Sequence, residues 1–152
     1  MLRSGNLSGF AARSLPVGTG TGKAVVRWKA WGSSDFGFSN GASFLALQYS
    51  ADGSTWYTAD TVNVDTAPVD RTIFPVGAWP YWQVLNYGGG DTRFAEVQFW
   101  DASGQIAQGT GTQIGNATQQ GGLAAAWDGN TSQVQTACAY KTGGNGAVGK
   151  HY

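Results

Sequence analysis

The sequence predicts an all-β fold, a jelly-roll β-sandwich. Short segments alternate apolar and polar residues with the period of two that is typical of half-buried strands. Clusters of Gly, Asp, Asn and Ser separate these segments, and the chain contains 24 Gly but only 4 Pro. No segment shows a sustained helical period. A chain of 152 residues with 41% hydrophobic residues is long and apolar enough for the core of one domain.

The chain begins with a segment that does not look like a strand. Residues 1–22 are rich in Gly, Ser and Thr, and their apolar residues are too scattered for a regular pattern, so we expect an arm or docking segment. The first strand follows in AVVRWKAW, where Val26, Trp28 and Ala30 share one face.

Five further segments have the strand pattern. In FLALQYS, Leu45, Leu47 and Tyr49 share one face, and the segment ends in a turn built around Asp52-Gly53. The other four are WYTADTVNV, RTIFPV, YWQVLN and FAEVQFW. A loop too glycine-rich for a strand interior, YGGGD, separates the last two.

We expect residues 23–152 to form a single sandwich. Residues 23–103 carry the main strands, and the polar, glycine-rich residues 104–122 are expected to be a linker. Residues 123–152 bury too little apolar surface to fold alone. They must therefore complete a sandwich, either in their own chain or in a neighbouring one.

Charge and composition exclude several classes of function. Nine basic residues balance nine acidic ones without a basic cluster, which argues against a nucleic acid or an anionic membrane as partner. The start, MLRSGNLSGF, lacks the apolar stretch of a signal peptide.

The single cysteine and the single histidine argue against two kinds of chemistry. Cys138 is the only cysteine, so we expect no intrachain disulfide, and we expect its side chain to be buried as a small apolar group. His151 is the only histidine and lies one residue from the end of the sequence, so we expect no firmly held imidazole for a catalytic triad and no enzyme activity.

Three motifs carry a resemblance to a known family. QYSADGSTW, PYWQVLN followed by AEVQFW, and AWDGNTS resemble segments of the discoidin, or coagulation-factor C-type, domain. This galactose-binding-like jelly roll is used by many carbohydrate-binding modules and by domains on phage tails and spikes. The resemblance covers residues 24–103 and 123–152. In the family the AWDGNTS-like segment comes first, whereas here it comes last. The domain is therefore circularly permuted, swapped between chains of a homo-oligomer, or cut from a tandem array, and the closed, permuted domain is favoured because it needs no partner.

The resemblance implies one structural Ca²⁺. Its ligands would be the side chains of Asp128, Asn130 and Glu96 and the carbonyls of Ala95 and Ala125. The family often has Thr or Ser at the position of Gln133, so a hydroxyl ligand is lost here. The alternative interpretation is that Asp128 only stabilises an Asx turn and Glu96 is an exposed strand residue.

Sugar binding requires flat apolar surfaces and a few fixed polar groups. Aromatic residues in predicted loops supply the first and nearby polar residues the second; the candidates are Phe36, Phe38, Trp79, Tyr81, Tyr87, Asn40, Asp91 and Arg93. Trp79, next to Pro80, is the best single platform. For each aromatic residue the alternative is a place in the core, which the resemblance implies for Trp28, Trp56 and Trp82.

These observations lead to one expected function and one alternative. We expect a non-catalytic carbohydrate-binding module that recognises a host surface glycan or capsule from the surface of a phage or phage-like virion, after assembly in the host cytoplasm. The resemblance, the polar arm and the missing signal peptide favour this location. The alternative is a structural decoration, adaptor or spike protein that uses the same fold to bind other virion proteins.

Overall fold

The computed structural model describes residues 18–39, 43–64, 67–88 and 90–152. Most of the predicted arm, residues 1–17, lies outside the described residues. The described part contains twelve strands: β1 Arg27–Trp31, β2 Ser43–Ser50, β3 Tyr57–Val64, β4 Val69–Thr72, β5 Tyr81–Asn86, β6 Thr92–Phe94, β7 Glu96–Asp101, β8 Gly104–Gln105, β9 Thr112–Gly115, β10 Gln119–Gln120, β11 Ala139–Lys141 and β12 Gly146–His151. Two short 3₁₀ helices span Leu123–Trp127 and Gln135–Ala137.

The strands form three antiparallel sheets, which confirms the predicted all-β sandwich class. The largest sheet has the order β3-β2-β5-β12-β9, the second has the order β4-β1-β7-β8, and the third has the order β10-β11-β6. The jelly-roll connectivity stays a prediction. No helix in the described ranges is long and apolar enough to cross a membrane.

The core lies where the inner faces of the sheets meet. Trp28 and Ala30 of β1 are buried, as the alternation predicts, and so are Leu45, Leu47 and Tyr49 of β2. The other large buried side chains of the core include Trp82, Val84, Phe94, Val97 and Phe99. Burying an aliphatic or Phe side chain of this size contributes about 1.5–3 kcal/mol to folding, so these residues are the main source of stability.

The last segment closes the large sheet within its own chain. Strand β12 lies between β5 and β9, with Val148 opposite Val84 on one side and Gly115 on the other. Residues 104–122, which we expected to be a linker, contain β8, β9 and β10. Their polar composition misled the prediction because β9 is an edge strand that leaves most of its residues in water.

Candidate functional site

Two of the predicted sugar platforms are buried. Trp79 is 4% exposed: its ring centroid lies 4.7 Å from that of Tyr49, and its indole N–H donates to the Val76 carbonyl at 2.9 Å. Phe38 is fully buried against the edge of the Phe94 ring. Neither ring has a free face on which a sugar could stack, so these two predictions are wrong.

Three other predicted residues meet in one cluster around Arg93. Its guanidinium lies over the rings of Phe36 and Tyr140, 5.1 and 5.6 Å from their centroids. Its Nε donates to Gln135 at 2.9 Å, and its Nη2 lies 3.7 Å from an Asp91 carboxylate oxygen.

The Arg93 cluster is a packing element, because Arg93 is only 2% exposed and cannot reach a ligand in water. Hydrogen bonds from Tyr140 and the Gly143 N–H lower the pKa of the Asp91 carboxyl. The remaining predicted polar residue, Asn40, lies outside the described residues.

An open groove lies on the outer face of the large sheet. It has a volume of about 370 Å³ and contains Tyr81, which was predicted, and Trp56, which was assigned to the core. The residues that line it are Gly53, Trp56, Tyr81, Gln83, Leu85, Ile114, Gly115, Asn116 and Ala147. Trp56 is partly exposed here because it lies in the connection just before β3 rather than on the inner face of a strand.

The groove combines aromatic rings with amide groups held by hydrogen bonds. The side-chain amide of Gln83 donates to the side-chain amide oxygen of Gln48 at 2.9 Å. On the opposite side, the side-chain oxygen of Asn116 accepts from the Ala147 N–H at 2.7 Å, and its side-chain nitrogen donates to the Asn145 backbone carbonyl at 3.2 Å. The amides are therefore fixed in place before any ligand arrives.

A tight turn brings Trp56 to Tyr81. One Asp52 carboxylate oxygen accepts from the Ser54 and Thr55 N–H groups, both at 2.8 Å. The Thr55 and Ser54 hydrogen bonds hold the pKa of the Asp52 carboxyl well below its usual range. Gly53 has a φ of +74°, and a Cβ at this position would lie 3.1 Å from the Tyr81 ring. Glycine therefore allows both the turn and its close contact with Tyr81.

A second pair of aromatic rings extends the same face. Tyr81, Gln83 and Leu85 alternate along β5 toward the groove, and Tyr87 follows in the same phase. The Tyr87 ring is parallel to that of Phe44 within 3°, with centroids 6.4 Å apart. Both rings are exposed, and six residues of extended chain place Tyr87 about 20 Å from Tyr81.

The predicted calcium ligands Glu96 and Asp128 meet within one chain. The Gly129 N–H donates to a Glu96 carboxylate oxygen at 3.0 Å, which ties the AWDGNTS turn to β7. Glu96 is fully buried, so the alternative that it is an exposed strand residue is wrong. Burial raises the pKa of the Glu96 carboxyl, and the nearby Asp128 carboxylate acts in the same direction.

The Asx-turn interpretation of Asp128 agrees with the geometry. One Asp128 carboxylate oxygen accepts from the Asn130 N–H at 2.9 Å, and the side-chain oxygen of Asn130 accepts from the Ser132 N–H at 3.1 Å. The side chains of both predicted ligands therefore serve the turn itself. The N–H of Ala95 donates to the Trp31 carbonyl at 2.8 Å, which places Ala95 beside β1.

The residues around Glu96 and Asp128 do not fit a bound cation as they stand. All four oxygens of the two carboxylates accept hydrogen bonds from N–H groups; the donors are the side chains of Gln98, Gln108 and Gln133 and the backbone of Gly129 and Asn130. The Ala125 carbonyl accepts from Gln133 as well, at 3.4 Å. A cation needs these oxygens as ligands and would have to displace the donors. Across the described residues, no group of three or more His, Cys, Asp or Glu side chains could hold a metal ion.

Comparison with known proteins identifies no relative. No protein-family model, no curated protein and no solved structure matches this chain. The resemblance to the discoidin domain therefore stays a prediction from the sequence motifs.

Proposed function

We propose that this chain is a non-catalytic carbohydrate-binding domain that holds a polysaccharide in the groove of its five-stranded sheet. The observation that carries the proposal is the presence of Trp56 and Tyr81 in one open groove with the fixed amides of Gln83 and Asn116. Aromatic rings pack on the apolar faces of sugar rings, and amides exchange hydrogen bonds with hydroxyls.

The lining of the groove favours an uncharged ligand. None of its nine lining residues is Asp, Glu, Lys or Arg. An anionic capsule would find no partner for its charges there, whereas a neutral polysaccharide loses little by leaving water for an amide-lined groove. Binding is therefore expected to change little with ionic strength.

The test is retention of neutral polysaccharides in affinity gels, followed by titration calorimetry with the oligosaccharide that is retained. We expect Trp56→Ala and Tyr81→Ala each to weaken binding at least about tenfold, which corresponds to 1.4 kcal/mol. Phe74→Ala is the matched control, because Phe74 is the most exposed aromatic side chain of the described residues and does not line the groove.

Two results would contradict the proposal. One is that wild-type protein binds no polysaccharide in a broad panel. The other is that both groove variants bind as well as wild type while their thermal unfolding is unchanged.

We propose the surface of a phage or phage-like virion as the place where the domain acts, and the motif resemblance supports this. Labelling of purified particles with antibodies against the chain tests the location. If the groove variants abolish incorporation into particles and leave glycan retention unchanged, the structural alternative, a decoration or adaptor protein, is correct instead.

A further inference from the structure

Hydrogen bonds attach the AWDGNTS turn to the sandwich. They lie at the place where several oxygens converge and a metal ion could otherwise bind. Its residue Asp128 and the buried Glu96 of β7 present two carboxylates to the same region. Glu96 is fully buried and Asp128 beside it is exposed, and a buried carboxylate with a second negative charge close to it needs compensation. A divalent cation is one source of it, and N–H donors together with a fixed ammonium group are another.

Gln133 supplies the central donor. Its amide nitrogen lies 2.6 Å from an Asp128 carboxylate oxygen and 3.4 Å from the Ala125 carbonyl oxygen. It thus bridges two oxygens that a cation in this turn would use. The side-chain amide oxygen of Gln133, Oε1, is buried and accepts no hydrogen bond from the described residues. The nitrogen end therefore orients this side chain, since the reversed amide would place an oxygen against two other oxygens.

Glu96 is compensated in a similar way. Its carboxylate accepts from the amides of Gln98 and Gln108 in addition to the Gly129 N–H. The backbone carbonyl of Gln108 accepts from the Lys150 ammonium at 2.8 Å. Lys150 is 2% exposed and lies over the Trp127 ring, so it brings a positive charge from β12 to the same region.

We propose that Gln133 takes the place of a structural cation in this chain, so that the sandwich closes without a divalent metal. A hydroxyl side chain at this position could offer its oxygen to a cation, whereas the amide nitrogen of Gln133 donates to the Asp128 and Ala125 oxygens directly. The inference concerns the closure of the fold and is independent of what the groove binds.

The experiment compares thermal unfolding in EDTA and in about 5 mM CaCl₂ for the wild type, Gln133→Glu and Gln133→Ala. Gln133→Glu keeps the shape of the side chain and exchanges the donor for an oxygen. We expect wild-type Tm to be the same in both buffers. Gln133→Glu should unfold at least about 3 °C lower in EDTA and recover in CaCl₂, because a third carboxylate then makes a cation site.

Gln133→Ala removes the donor without adding a ligand, and we expect a lower Tm that CaCl₂ does not restore. The matched control is Gln105→Glu, which adds the same charge at an exposed position of β8. Its Tm should not respond to CaCl₂.

Two outcomes overturn the proposal. A saturable rise of wild-type Tm with CaCl₂, with heat of binding in calorimetry, means that a cation does occupy the turn. An unchanged Tm of Gln133→Glu in EDTA means that the amide donor does not matter. If Gln133→Glu fails to fold in either buffer, the wild-type titration decides the question alone.

Discussion

Tyr81 and His151 stack across the β5–β12 pair, with ring centroids 4.1 Å apart and planes 10° from parallel. The imidazole supports the Tyr81 ring at one end of the groove, while Gly53 contacts the same ring from the turn before β3. The orientation of a groove residue is thus set by two positions outside its own strand.

We therefore expect His151→Ala to weaken oligosaccharide binding about three- to tenfold, because Tyr81 loses the ring that holds it. His151→Phe should retain most of the affinity, since it restores a stacked ring. Titration calorimetry measures both. His151 is exposed, so Tm should change little. Equal affinity of His151→Ala and wild type would show that Tyr81 does not need this support.

The Phe44–Tyr87 pair predicts that affinity depends on the length of the sugar chain. An oligosaccharide that spans about 20 Å can reach from Tyr81 to Tyr87, whereas a short one occupies the groove alone. We expect Phe44→Ala and Tyr87→Ala to weaken binding of long oligosaccharides several-fold and to leave short ones unaffected. Calorimetry with a series of chain lengths is the measurement. An equal loss of affinity for oligosaccharides of all lengths would contradict the prediction that the Phe44–Tyr87 pair contacts only the longer ones.

The Asp52 turn predicts a component of acid sensitivity. The pKa of Asp52 is lower in the folded state than in the unfolded state, so its carboxylate stabilises the fold at neutral pH. This contribution is complete above the unfolded pKa, near 3.9, and is lost as pH falls through the lower folded value. We expect Asp52→Asn, which keeps an acceptor oxygen, to be less stable than wild type at neutral pH but to lose less stability in acid.

Urea unfolding between about pH 5 and pH 2 tests this difference. Other aspartates also have lowered pKa values, namely Asp35, Asp60, Asp70 and Asp91. The quantity to compare is therefore the stability of the wild type minus that of the variant at each pH. Asp52→Ala removes the acceptor as well and should be the least stable of the three proteins at pH 7. A difference that does not vary with pH would contradict the prediction.

Arg93 is expected to act on stability and not on ligand binding. Arg93→Ala removes a buried guanidinium that packs between Phe36 and Tyr140, and it should destabilise the fold by about 2–4 kcal/mol. Arg93→Lys should recover only part of this, because an ammonium lacks the planar group that stacks on rings and reaches Gln135 through Nε. Denaturant unfolding gives the free energies. Loss of sugar affinity in a folded Arg93→Lys protein would instead support its predicted role in binding.

Cys138 is expected to be inert in the native protein. The thiol is buried, and burial raises its pKa to about 12, so little thiolate exists at about pH 8. A thiol reagent such as DTNB should therefore react only after unfolding in urea. Rapid native labelling would show that the region around Cys138 opens easily.

The alternation of apolar residues predicted which side chains of a strand share a face. This worked for Trp28 in β1 and for Leu45 and Leu47 in β2, because a strand with one inner face has a strict period of two. The alternation does not predict where a connection between strands packs on a sheet. Trp56 and Trp79 both lie outside strands, and long-range packing leaves the first partly exposed in a groove and buries the second beside Tyr49.

The hydrogen bonds of the two carboxylates near the AWDGNTS turn could not be predicted from the sequence pattern either. The resemblance implied that Glu96 and Asp128 belong to one site, the motif order left open whether they meet within one chain, and they do lie together. Their side-chain donors come from three separated glutamines, Gln98, Gln108 and Gln133. Glutamine carries no periodic signal that marks it as a donor to a particular carboxylate, so only the folded chain reveals this network.

The position of β12 also affects how the protein is made. Strand β5 pairs with β2 on one side but needs residues 146–151 on the other, and β9 has no place in the sheet until they arrive. A ribosome-bound chain therefore exposes an unpaired, apolar edge at Val84 from the synthesis of β5 until residues 146–151 have emerged. Such nascent chains can pair with one another, so slow translation or high expression should favour aggregation, and chaperones that cover strand edges should raise the yield.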